Sequence, residues 1–131
     1  MTVFVDASAL IAMIAGEETG EAVAATIRAD GDALWSAMAC WEAVLALRKA
    51  RDISFEAARE EVEATAAALP LRLVEIGEDE RRGALDAHRH YGKGRHRARL
   101  NMGDCFAYAC AKTNNARLLY KGDDFSHTDL A

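Results

Sequence analysis

The chain has a single proline, Pro70, and only three cysteines, Cys40, Cys105 and Cys110, among its 131 residues. With proline confined to one position, long helices are permitted nearly everywhere. An odd cysteine count without a CxxC pair argues against a disulfide framework or a zinc knuckle. It leaves free thiols packed as small hydrophobes in a reducing compartment. No run approaches the ~20 apolar residues of a membrane span. Asp6 interrupts the apolar start Val3-Phe4-Val5, so no signal peptide is read there and a cytoplasmic protein is expected. Several motifs are also missing. There is no GxGxxG, no HExxH and no G-x-S-x-G, and Gly92-Lys93 is followed by Gly94 rather than the Ser or Thr of a P-loop.

What is present is globular: 51% hydrophobic and 28% charged residues, in a length that suits one domain over 1–131. The net charge of −5 disfavours a broad, unspecific polyanion binder. The charge is uneven, however. Between Ala87 and Gly103 there is no acid, while Arg89, Lys93, Arg95, Arg97 and Arg99 crowd there with His88, His90 and His96.

Periodicity predicts strands alternating with helices. Thr2–Val5 reads as a buried strand, followed by helical stretches at 7–15 and 20–29, the second stopped near Gly31. A short strand at 33–36 leads into a helix over 38–51 near Ser36, and Ser54 caps a helix that Pro70 ends. A strand over 71–76, a helix over 78–91, a basic loop, a helix over 102–115 capped by Asn101 and a strand over 117–120 complete the chain. Such alternation predicts a parallel sheet covered on both faces.

Four acidic positions need explanation. Asp6 directly follows the first strand, where open α/β sheets place their sites, although aspartate is also a good helix cap. Asp123 and Asp124 follow the last strand in the same sense, although Gly122-Asp123-Asp124 is also ordinary turn chemistry. Glu42 sits on an apolar helix face among Met38, Ala39, Leu45 and Ala46. A charged carboxylate there costs on the order of several kcal/mol without a partner, and Arg48 and Lys49 lie beyond the i+3 and i+4 positions. Asp104 is the only charge from Met102 to Ala111. It stands in the first helical turn, where the dipole favours an anion, on a helix apolar enough to be buried. Carboxylates meeting in one pocket repel unless some are protonated or a cation joins them. An all-oxygen set favours a hard divalent cation, Mg²⁺ or Mn²⁺. The basic loop then gains a purpose, since Lys and Arg supply sequence-independent affinity for nucleic-acid phosphates and Tyr91 offers a stacking face.

Taken in order, Val3-Phe4-Val5-Asp6-Ala7-Ser8-Ala9-Leu10, Trp41-Glu42-Ala43, Arg99-Leu100-Asn101-Met102-Gly103-Asp104 and Leu118-Leu119-Tyr120-Lys121-Gly122-Asp123-Asp124-Phe125 resemble the PIN-domain toxins of the VapC type. The resemblance covers essentially the whole chain. It implies a three-layer α/β/α sandwich around a central parallel sheet. It implies an Mg²⁺- or Mn²⁺-dependent endoribonuclease, the toxin of a type II toxin–antitoxin pair, hydrolysing RNA by a metal-activated water. It also implies a homodimer, with a cognate antitoxin laying a segment over the acidic pocket. Carried over by position, Asp6 and Asp104 match the principal metal ligands and Glu42 the third acid. Asp124, before Phe125, matches the fourth, with Asp123 as the alternative. Gly122 stands where some relatives carry another acid. Ser8 and Asn101 assist through hydrogen bonds, and Lys93, Arg95, Arg97 and Arg99 are expected to position RNA. The rivals are a catalytically inactive RNA-binding or regulatory module on the same fold and a phosphoacceptor receiver. Receivers carry paired acids after the first strand, whereas Asp6 is followed by Ala7 and Ser8.

Overall fold

The computed structural model describes residues 1–131, the side chain of Asp30 excepted. Ten elements run in the order β1 (Thr2–Val5), α1 (Ala7–Ile14), α2 (Glu18–Asp30), β2 (Asp32–Ser36), α3 (Ala37–Arg51), α4 (Phe55–Ala68), β3 (Arg72–Val74), α5 (Glu78–Tyr91), α6 (Met102–Thr113) and β4 (Arg117–Leu119). The four strands form one parallel sheet in the order β3-β2-β1-β4. Helices cover it, which gives the expected three-layer α/β/α arrangement.

The strands nearest the middle are the most apolar, as burial on both faces requires. Val3, Phe4 and Val5 of β1 and Leu34 of β2 have no more than 1% of their surface exposed. Helix starts follow local chemistry: the Ser36 and Ser54 hydroxyls accept from Ala39 N and Ala57 N, and Gly31 ends α2 in the left-handed conformation. Gly20 lets α2 cross α1 closely, because a β-carbon there would lie 2.3 Å from the Ala12 carbonyl oxygen.

Three boundaries differ by two residues from those the sequence predicts, and others by one. The strand expected over 71–76 contracts to Arg72–Val74, because it is an edge strand paired only with β2. Its Leu73 is 60% exposed, so the alternating pattern there does not mark a buried face. Helix α6 stops at Thr113 rather than 115, since Asn115 takes a left-handed backbone (φ 50°). Helix α2 begins two residues before Gly20, at Glu18. Among the described residues, no helix is long and apolar enough to cross a membrane.

Candidate active site

The carboxyl ends of parallel strands gather the first acid and the loop of the fourth. Asp6 follows β1 and its backbone N–H donates to the Leu119 carbonyl of neighbouring β4 at 3.0 Å. The side chain caps α1: Oδ2 accepts from the Ser8 backbone N–H at 3.0 Å and from the Ser8 hydroxyl. The same hydroxyl oxygen accepts from Lys121 N at 3.0 Å. Ser8 therefore ties the start of α1 to the loop after β4. Asp6 is buried, and burial raises its carboxyl above the ordinary range. The Ser8 bonds oppose that rise and the charge of Asp124 adds to it.

Glu42 projects from the second turn of α3. It is half-buried and, among the described residues, makes no ion pair. Burial, then the charges of Asp6 and Asp104, push its carboxyl up to about 7. Its seat depends on Gly103. A β-carbon at that position would lie 1.8 Å from Glu42 Oε2 and 2.1 Å from Cδ, so only glycine admits the carboxylate against the first turn of α6.

Asp104 stands in that same turn. Asp104 N donates to Asn101 Oδ1 at 2.9 Å, and Asn101 N donates to Asp104 Oδ2 at 3.1 Å, a reciprocal capping box. The cap holds the side chain in one orientation without neutralising it. Burial pushes Asp104 up to about 7; the Asn101 bond opposes this, and Asp124 and Asp6 reinforce it. Asp124 is exposed in the turn after β4, and its charge reaches both Asp6 and Asp104. Asp123 lies beside it, its backbone carbonyl accepting from Ser126 N at 3.1 Å.

Asp6, Glu42, Asp104 and Asp124 thus form an electrostatically linked set, and among the described residues no Lys or Arg pairs with any of them. Hard oxygen donors that raise one another's affinity for protons are the donor set a divalent cation satisfies. Among the described residues, no three His, Cys, Asp or Glu side chains already stand as a group that could hold an ion. The fit therefore lies in donor chemistry and mutual repulsion rather than in a finished coordination shell.

Beside the acids lies a cavity of about 310 Å³ to which Lys93, Arg97 and Arg99 contribute along with Asp104, Asp123 and Asp124. Three of the four cations expected to meet RNA are thus at the acidic site. Arg95 is not: its Nε donates to the Arg89 carbonyl at the end of α5, at 3.2 Å. Asn101 and His127 complete the lining. His127 is the residue that sequence reasoning missed; a fourth histidine just past Asp123-Asp124-Phe125 was the available signal. Tyr91 is not a free stacking platform. It is half-buried, edge-on to His96 and beside Tyr108, with its hydroxyl donating to Asp129 Oδ1 at 3.4 Å. A more apolar groove of about 480 Å³, lined by Trp41, Phe55 and Leu73 among others, contains none of the four acids.

Residues 3–130 match the PIN domain. The chain is 39% identical to ribonuclease VapC30 of Mycobacterium tuberculosis (strain H37Rv), with 97% of this chain and 95% of that protein covered. It is 40% identical to a VapC ribonuclease of Rhizobium meliloti, covering 97% and 98%. Among solved structures, the Mycobacterium tuberculosis toxin VapC20, described as cleaving the sarcin-ricin loop, superposes with a TM-score of 0.66. That match covers 95% of this chain and 92% of the other at 17% identity, and so speaks for the fold.

Proposed function

We propose, on the premise that the chain belongs to the PIN domain family, that it is a metal-dependent endoribonuclease and the toxin of a type II toxin–antitoxin pair. The observation that carries this reading is the linked carboxylate set. Two of its members, Glu42 and Asp104, are held up to about 7 with no basic partner among the described residues. Its full-length relatives are named as ribonucleases.

In this reading Asp6, Glu42, Asp104 and Asp124 hold Mg²⁺ or Mn²⁺, with Asp123 the less engaged neighbour. A divalent cation supplies Lewis acidity to a phosphodiester oxygen and lowers the pKa of water. The protein's own groups do the rest. Ser8 and Asn101 fix the orientation of Asp6 and Asp104 through the bonds described above. Lys93, Arg97 and Arg99 hold backbone phosphates beside the acids, and Arg95 adds charge from outside the cavity. An antitoxin segment bearing a basic side chain would satisfy the same carboxylates and exclude RNA. A homodimer is part of the same reading, as it is implied by the family resemblance.

The test uses purified protein freed of any bound partner. Cleavage of cellular RNA is expected with Mg²⁺ or Mn²⁺ and not with EDTA, and Asp6→Asn and Asp104→Asn should abolish it. RNA binding without cleavage under all metal conditions would instead indicate a non-catalytic module.

A further inference from the structure

The basic loop between α5 and α6 is not a free strap. Its base is closed by Lys93 N donating to the Leu100 carbonyl at 3.0 Å and Leu100 N donating to the Tyr91 carbonyl at 2.9 Å. Within it, His96 N donates to the Gly92 carbonyl at 3.0 Å and Arg99 N donates to the His96 carbonyl at 3.0 Å. Ala98 is 3% exposed, and its backbone N–H is satisfied by a side chain, donating to His96 Nδ1 at 3.0 Å. A buried N–H must find a partner, so this bond selects the turn. The ring is held in place by an edge-on contact with Tyr91, centroids 5.1 Å apart at 89°. Arg97 and Arg99 flank Ala98 and both line the acid-bearing cavity. Arg99 does so from a left-handed backbone (φ 53°), a conformation that a residue with a β-carbon keeps only when its surroundings enforce it.

We infer that His96 is a positioning residue: by accepting from the Ala98 N–H it fixes the turn that aims Arg97 and Arg99 at the RNA backbone beside the acids. This rests on the reading of the cavity as an RNA-cleaving site. His96 acts through the two arginines and contacts no reacting atom. The backbone bonds alone do not do this, because they fix the base of the loop and the position of Arg99 N while leaving Ala98 N to the imidazole.

Two substitutions separate the bond from mere packing. His96→Leu keeps bulk and removes the acceptor. His96→Asn offers Oδ1 close to the place of Nδ1. Steady-state cleavage of an RNA that the wild type cuts is measured with Mg²⁺ at several salt concentrations, together with thermal unfolding of each protein. His96→Leu is expected to raise KM about tenfold with kcat within about twofold, and to flatten the salt dependence, as the weakening of two phosphate contacts would. His96→Asn is expected to recover most of the KM. An unchanged KM in His96→Leu overturns the inference, and so does His96→Asn being as impaired as His96→Leu. A joint collapse of kcat, KM and thermal stability in both variants assigns His96 to folding alone and also overturns it. If the wild type cuts no RNA with either metal, the reading of the site fails first and takes this inference with it.

Discussion

The Glu42 carboxylate occupies the space that a side chain at Gly103 would fill, with Oε2 lying 1.8 Å from the ideal β-carbon position. The clash is with the far end of a flexible side chain, so a methyl group at 103 would move the carboxylate rather than the helix. Alanine is also the better helix former, by about 1 kcal/mol. Gly103→Ala should therefore fold with a melting temperature close to the wild type while losing most RNA cleavage. Circular dichroism melts beside a cleavage assay with Mn²⁺ check this. Full activity in Gly103→Ala would mean that Glu42 need not stand where it does.

Removing charge from the acid set should push stability and activity in opposite directions. Glu42 and Asp104 are held up to about 7 by burial and by neighbouring carboxylates, so ionising both without a cation opposes folding. Glu42→Gln and Asp104→Asn should each melt higher than the wild type in EDTA near pH 8. Both should cleave RNA at least about a hundredfold more slowly, the usual scale for losing a group that stabilises a transition state. The Asp104 variant gains less stability, because its capping bond from Asn101 N then reaches a weaker amide acceptor. A lower melting temperature for Glu42→Gln in EDTA would show that the carboxylate is satisfied in some other way.

The sheet and most helix starts were legible because each rests on local chemistry: the β-branched run Thr2–Val5, Ser36 and Ser54 as caps, Gly31 as a stop. Glu42 and Asp104 stood out for a related reason, since no Lys or Arg stands three or four residues from either. What the sequence left open depends on distant contacts. That Asp124 and not Asp123 figures among the charges that shift Asp6 and Asp104 depends on how the loop after β4 folds back. The departure of Arg95 from its cationic neighbours follows from a bond to the Arg89 carbonyl. The need for Gly103 follows from α3 meeting α6. Periodicity describes one element at a time and carries none of these.

The same two carboxyls set a pH dependence whose sign can be worked out. Glu42 and Asp104 rise from ordinary values of 4.5 and 3.8 to about 7 in the folded protein. Between about pH 4 and 7 the folded state therefore holds protons that the unfolded chain has released. Their contribution to stability is largest below that window, is lost as pH rises through it, and is flat above. A divalent cation competes with those protons. The rise in melting temperature on adding Mg²⁺ should thus be larger near pH 8 than near pH 5, and cleavage should climb on an acid limb centred near 7. Equal Mg²⁺-induced shifts at both pH values would detach the cation from this pair.

The loop after β4 offers the sharpest comparison between neighbours. Asp124 raises the proton affinity of both Asp6 and Asp104, whereas Asp123 contributes to the cavity lining without figuring among the charges that shift either of them. Both side chains are exposed, so neither substitution should cost more than about 0.5 kcal/mol of stability. Asp124→Asn should weaken Mg²⁺ dependence at least about tenfold, the scale expected when one carboxylate supporting a metal site is lost. It should lower cleavage accordingly. Asp123→Asn should leave Mg²⁺ dependence within about twofold and chiefly alter RNA affinity, because it removes a negative charge beside Lys93, Arg97 and Arg99. Metal titrations of cleavage rate for the two variants decide between them. The reverse ranking would place the fourth ligand at Asp123 and would require the turn around Gly122 to be drawn inward when the cation binds.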